Sequence, residues 1–222
     1  MNISINKAHY PVTVLGPGTR IGIWMQGCRI ACKGCISQDT WAHDQAIMKQ
    51  REMTIARLIS WCKKVAVSGM DGITISGGEP FDQPKALSSL LDALLYWRSQ
   101  SALDFDILCY SGYPFNTLKT KHPRILDKLD ALIPEPFVEA KPITHIWRGS
   151  ANQPLIPLSP RGEKRYGDVL KMEVGAVPKR IQTMLDGERI WYVGIPDRHD
   201  MEVLEASCQE RGITFKQVSW RQ

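Results

Sequence analysis

The chain of 222 residues is 43% hydrophobic and 23% charged, ordinary globular usage that excludes a disordered or membrane chain. Its formal net charge of +5 is modest, and the densest basic patches, Lys119 to Arg124 and Arg161 to Arg165, lack interleaved aromatic residues; they read as solvated faces, and no nucleic-acid partner is expected. No apolar run reaches the roughly 18 residues a membrane helix needs and no signal peptide opens the chain, so no membrane partner and a cytoplasmic location are expected.

In chain order, Met1 to Pro11 is a polar segment to which no structure is assigned, and Gly16-Pro17-Gly18 signals a turn. Arg20 to Gln26 alternates as a strand, with Ile21, Ile23 and Met25 on one side, and leads straight into a cysteine-bearing loop. From Ile55 to Val65 apolar residues recur at helical spacing, with Thr54 as N-cap and Gly69 as stop, and Cys62 falls on the buried stripe. Gly72 to Ser76 is a short strand ending in Gly-Gly, and Pro84 opens a leucine-rich helix. Phe105 to Tyr110 and Ala131 to Ile133 read as strands, with a short helix at Ile125 to Leu129 between them. This strand–helix alternation implies parallel βα units, and counting alone leaves an open sheet and a barrel equally admissible.

Downstream the pattern changes. Pro154 to Gly167 reads as a loop; Arg180 to Leu185 and Arg189 to Ile195 flank the hairpin signal Asp186-Gly187; a helix at Met201 to Arg211, closed by Gly212, precedes a strand at Thr214 to Val218. The expected organisation is therefore a core over residues 1–154 and a small α+β extension over 155–222. The extension contains only Cys208, too few thiols for a second cluster of the four-cysteine kind.

The chemistry concentrates in Cys28, Cys32 and Cys35, spaced CxxxCxxC. Three thiols are an odd number for disulfides and one ligand short of a closed zinc site. An iron–sulfur cubane takes one thiolate per iron, so three cysteines leave one iron open to a substrate or cosubstrate. A structural zinc module completed by His43 or Cys62, acting as a non-catalytic interaction protein, is the alternative that the spacing tolerates. Gly77 and Gly78, without Cβ atoms, allow a ligand to approach the backbone closely.

The CxxxCxxC loop resembles that of the radical S-adenosylmethionine (SAM) enzymes. Further blocks agree in order: Ile73 to Pro80 with its GGEP, Tyr110-Ser111-Gly112-Tyr113, and Trp147 to Gln153. With Thr40-Trp41 after the loop, the chain is most similar to the small glycyl-radical-enzyme activating proteins, above all the activators of anaerobic ribonucleotide reductase. The resemblance implies a partial (βα)6 barrel with the C-terminal appendage outside it. It also implies a [4Fe-4S] cluster on Cys28, Cys32 and Cys35, and SAM bound by Gly77, Gly78, Glu79, Ser111, Arg148 and Asn152. The reaction it implies is reductive cleavage of SAM to a 5′-deoxyadenosyl radical that takes a hydrogen atom from a glycine of a partner glycyl-radical enzyme, with flavodoxin or ferredoxin as electron donor. A radical SAM reaction on a small molecule or nucleotide is the alternative substrate reading. No residue is singled out as a catalytic acid or base. The chain departs from the family at Ile36-Ser37, where an aromatic residue and Asn are usual, and at Pro134-Glu135-Pro136-Phe137, where an Asp-Gly-Pro-Phe-like segment is usual.

Overall fold

Strands rich in β-branched residues alternate with helices, and the helices Ile55–Val65 and Pro84–Ser99 bury an apolar stripe in the core beside the sheet. The computed structural model describes residues 1–173, 181–187, 189–197 and 199–220. Its strands are β1 (Asn2–Val12), β2 (Arg20–Met25), β3 (Glu52–Thr54), β4 (Gly72–Gly77), β5 (Asp106–Tyr110), β6 (Ala131–Ile133), β7 (Ile156–Pro157), β8 (Ile181–Asp186) and β9 (Arg189–Gly194). The helices are α1 (Gln45–Gln50), α2 (Ile55–Val65), α3 (Pro84–Ser99), α4 (Phe115–Lys121), α5 (Pro123–Leu126), α6 (Pro160–Tyr166) and α7 (Asp200–Glu210).

The main sheet runs in the order β3-β1-β2-β4-β5-β6-β7, and β8 with β9 forms a separate pair. At its centre β2, β4, β5 and β6 are parallel, as the βα alternation requires. Both flanks are antiparallel, β1 against β2 and β7 against β6. The architecture is thus mixed α/β with a large, mostly parallel sheet.

All of β2 is buried, because both of its faces are covered. Ile21, Ile23 and Met25 enter the main core with Ile73, Ile75, Leu58, Leu87 and Leu91, while Trp24 points the other way into a small cluster with Val12, Val14, Leu15 and Val193. Thr54 caps α2 by accepting a hydrogen bond from Arg57 N (3.2 Å), and Cys62 is fully buried on that helix.

Three expectations change, and two elements stand where none was assigned. Of Met1 to Pro11, all but Met1 belongs to β1; its register shifts between Ile5 and Lys7 and again between His9 and Val12, which breaks the two-residue period that would have exposed it. Two short elements, α1 and β3, stand between the cysteine loop and α2, the first capped by Asp44 on Ile47 N (3.0 Å). Pro154 to Gly167 is not a plain loop: β7 pairs with β6 and α6 follows, capped by Ser159 on Gly162 N (3.0 Å), so residues placed beyond the expected boundary at 154 complete the main sheet. Thr214 to Val218 forms no strand, because it lies along no strand as a ladder partner and its end is instead tied to residues 36–38. The hairpin is present as β8 and β9, and Arg180, where its first strand was expected to begin, lies outside the described residues.

Candidate metal and cofactor centre

The four parallel strands end side by side: Met25 is in register with Gly77, Ile75 with Cys109, and Tyr110 with Ile133. The loops that leave these ends surround a cavity of about 960 Å³, the place where parallel α/β sheets put their ligands. The loop after β2 carries Cys28, Cys32 and Cys35; the loop after β4 carries Gly77, Gly78 and Glu79; Ser111 follows β5; Glu135 and Phe137 follow β6. All of these line the cavity.

The cysteine loop is shaped by its own backbone. Ala31 (φ 49°) and Gly34 (φ 76°) occupy left-handed positions that fold the chain twice within a few residues. Cys35 N donates to Cys32 O (3.1 Å), and Ser37 N donates to Cys35 Sγ (3.4 Å). All three thiols are free and partly buried. Burial pushes each of them up from the ordinary cysteine value, because a thiolate without a metal is poorly solvated there. Among the described residues no three His, Cys, Asp or Glu side chains stand close enough to grip a single ion. A cubane, which takes one thiolate per iron, does not ask them to. The donor set therefore fits the cluster: three soft sulfurs facing one cavity, one of them receiving a backbone N–H of the kind that tunes cluster potential.

The glycine pair is held against this loop. Gly78 N donates to Met25 O (2.8 Å) and Glu79 N to Gly27 O (2.8 Å), while Gly27 N and Cys28 N donate to Thr40 O (2.7 Å) and Trp41 O (3.0 Å). A Cβ on Gly77, whose φ is 106°, would stand 2.3 Å from Met25 N, and one on Gly78 would stand 2.1 Å from Gly27 O. Backbone packed so tightly against backbone has no room for a side chain.

Glu79 is buried, and its carboxylate is spent on the protein. It accepts from Phe81 N (2.9 Å), Ser111 Oγ (2.8 Å) and Gly112 N (2.7 Å). Burial pushes its carboxyl up to about 7 against the pull of those three donors. Glu79 thus fastens the β4 loop to the β5 loop, and the Ser111 hydroxyl is committed to that bond. Asp82, which the sequence reading passed over, repeats the arrangement from the other side by accepting from Arg29 N (2.9 Å) and Tyr113 Oη (2.7 Å). Its position three residues after Glu79 in the same turn was the available signal.

Arg148 and Asn152 are not brought to the cavity wall. Arg148 Nη2 donates to Leu170 O (2.6 Å), and Asn152 Nδ2 donates to Pro136 O (2.8 Å). Among the described residues Arg148 Nε and Asn152 Oδ1 are buried without a hydrogen-bond partner. From the same segment Gln153, which had no expected role, does reach the cavity; its amide accepts from Gly149 N (3.0 Å) and donates to Glu135 O (2.9 Å). That contact supports Glu135 at φ 81°, a left-handed position where the related segment has glycine. Neither His43, which is exposed, nor Cys62, which lies in the core, borders the cavity.

The extension supplies part of the wall: Tyr192 to Asp197 and Trp220 line the same cavity as the cysteine loop. Its end is fixed there, since Gln38 N donates to Ser219 O (2.9 Å), Gln38 Nε2 to Trp220 O (3.1 Å) and Ser219 Oγ to Ile36 O (2.9 Å).

Comparison with known proteins bears on the same residues. The family described as 4Fe-4S single cluster domain matches residues 14–156. The anaerobic ribonucleoside-triphosphate reductase-activating protein of Vibrio cholerae is 32% identical over 147 residues, covering 65% of this chain and 92% of that protein. Its namesake in Haemophilus influenzae is 32% identical over 148 residues, with the same coverage of 65% and 92%. The phage T4 protein of that name is 30% identical over 143 residues, covering 64% and 86%. Among solved structures QueE from Escherichia coli matches with a TM-score of 0.40 at 20% identity, covering 50% of this chain and 53% of that one, a likeness too slight to argue from.

Proposed function

Because the chain belongs to the 4Fe-4S single cluster domain family, we propose that it is a radical SAM activating enzyme working on a glycine of a partner glycyl-radical enzyme. The observation that carries this reading is the convergence of Cys28, Cys32 and Cys35 with the Gly77-Gly78 turn on one cavity at the ends of four parallel strands. Bound there, a [4Fe-4S] cluster and SAM supply an electron and a 5′-deoxyadenosyl radical able to take a hydrogen atom from the partner's glycine.

The chain's own residues hold and arrange. Cys28, Cys32 and Cys35 would hold three irons and leave the fourth to SAM's amino and carboxylate groups. Gly77 and Gly78 present backbone that a ligand can approach without meeting a side chain. Glu79 keeps the β4 and β5 loops together, so its part is positioning, with Ser111 as its partner at the cavity surface. Arg148 and Asn152 act at one remove, by holding the segments around Leu170 and Pro136 behind the cavity.

Four adjacent parallel strands with both flanks antiparallel are compatible with a partial (βα)6 barrel whose helices lie outside. The work is divided between a core over residues 1–154, with β7 and α6 completing its sheet, and an extension whose hairpin and C-terminal segment cover it. The relatives' name supports a glycyl-radical reductase as partner. The electron donor is read as a low-potential flavodoxin or ferredoxin. No helix among the described residues is long and apolar enough to cross a membrane, and the cytoplasm is the compartment proposed.

Anaerobic reconstitution tests the reading. The loaded chain is expected to be brown, to give a [4Fe-4S] signal that changes when SAM is added, and to form 5′-deoxyadenosine with a reductant. A colourless zinc-bound preparation, or a cluster-loaded one that leaves SAM intact, would refute it.

A further inference from the structure

We propose that the free edge of β9 is a docking edge where an extended, glycine-bearing peptide segment pairs as an added strand beside the cysteine loop; this rests on the reaction proposed above. Six consecutive residues, Tyr192 to Asp197, border the cavity, and the first three of them close β9. A strand that turned a face to the cavity would offer alternate residues only, because side chains switch sides at every position. Three strand residues in an unbroken run mean that the cavity meets the end of β9 edge-on.

Among the described residues that edge is bare, since β9 is paired with β8 alone. Counting from the closing pair Asp186 and Arg189, the ladder alternates so that Ile190, Tyr192 and Gly194 direct their backbone N–H and C=O groups away from β8. Proteins usually blunt such an edge with charge, proline or cover. Here the three outward positions carry no charged residue, and proline arrives only at Pro196, past the strand's end.

The edge is also fixed in place. Val193 is buried against Val12, Val14, Leu15 and Trp24 of the core. The Tyr192 ring meets that of Trp220 edge-on, with centroids 6.1 Å apart, and Trp220 is bonded to Gln38 just beyond the third cysteine. Lys7 adds a tie, pairing with Asp39 at 3.2 Å and lying 5.4 Å from the Trp191 ring centroid.

A row of alternating amide donors and carbonyl acceptors is matched by another polypeptide backbone, which is why bare edges recruit extended peptides in β-augmentation. Gly194, with no side chain, keeps that approach open. The family match ends at residue 156, so this wall comes from chain that the match does not include. A glycine brought in as a strand would lie beside the cavity without the partner's folded body having to enter it.

The test is fluorescence anisotropy of labelled, short overlapping peptides from the anaerobic reductase of the same organism, titrated against the reconstituted full chain. The expected result is binding by a glycine-bearing peptide that falls about tenfold when one backbone amide on the pairing edge is N-methylated, the scale of one lost hydrogen bond. N-methylation of the neighbouring residue, whose amide faces away, should leave affinity unchanged. Tyr192→Pro removes one outward N–H and should weaken binding by a similar factor, while Tyr192→Phe should not; the peptide scan decides the matter if the proline variant does not fold. Affinity indifferent to N-methylation at every position, or no peptide bound above scrambled controls, would overturn the proposal. SAM cleavage is measured in parallel. A chain that cleaves SAM but fails the peptide test loses the docking edge and keeps its reaction; one that passes the peptide test but never cleaves SAM loses the reaction and keeps the edge.

Discussion

The two ends of the parallel strands bury charge in opposite ways. At the N-terminal end Arg20, fully buried, meets Asp106 through two bonds, Nη1 to Oδ1 at 2.9 Å and Nη2 to Oδ2 at 2.8 Å. Its Nε donates to Thr74 Oγ1 (2.7 Å), its other contacts go to the carbonyls of Pro17 and Ile73, and Tyr166 of α6 donates to Asp106. Burial works against the guanidinium's charge, yet the doubly bonded Asp106 carboxylate outweighs it and holds Arg20 more firmly protonated. At the C-terminal end Glu79 is equally buried, but its hydrogen-bond donors are neutral and Asp82 lies nearby, so its charge is disfavoured. A counter-charge closes the first end and makes it structural; its absence leaves the second soft toward protons and open to a ligand.

The largest expected contrast comes from replacing cysteines. Cys32→Ala should abolish the [4Fe-4S] absorbance and reduce 5′-deoxyadenosine formation to background, while the metal-free chain keeps its unfolding midpoint, because this side chain lies at the open end. Next is Arg20→Met, which leaves Asp106 buried without its cation and should cost about 3–5 kcal/mol in urea unfolding. The double variant Arg20→Met/Asp106→Leu should recover part of that loss, and failure to recover any would mean the pair is not the source of the cost.

Glu79 is expected to act through pH. Its carboxyl is raised to about 7 in the folded chain from an ordinary value of 4.5. Between these limits the folded state binds more protons than the unfolded one, so stability is full below the lower value and falls as pH rises through the upper. The loss is about 3 kcal/mol. Glu79→Gln should flatten that slope when melts are taken from acid to mildly alkaline pH, and an unchanged slope would assign it to other groups. Gly78→Ala should cost about 2 kcal/mol by overpacking against Gly27 O, measured by thermal melting of the metal-free chain. Lys7→Ala is the smallest, at under about 1 kcal/mol for a partly exposed pair, and limited proteolysis should show faster cleavage in the hairpin.

Much of the open end was legible because its chemistry is local. CxxxCxxC and Gly-Gly are dense signals, and the strands that carry them alternate cleanly. The closed end was not, because Arg20, Asp106 and Tyr166 lie far apart in sequence and each looks ordinary there; only sheet register makes them neighbours. Arg148 and Asn152 show the other limit, since the resemblance assigns them to SAM while their bonds within the protein go to Leu170 and Pro136, which no local pattern announces. The N-terminal strand escaped because its register shifts erase the period on which strand reading depends.

From the sequence alone came the cluster loop, the glycine turn, the parallel βα order and the chemistry that three thiols leave open, because each depends on residues near one another in the chain. Tertiary structure decided which polar groups find partners, which strand edge is left unpaired among the described residues and how Ser219 and Trp220 come to rest on the loop after the cysteines. Those outcomes depend on pairing across long separations, where geometry rather than composition determines who meets whom.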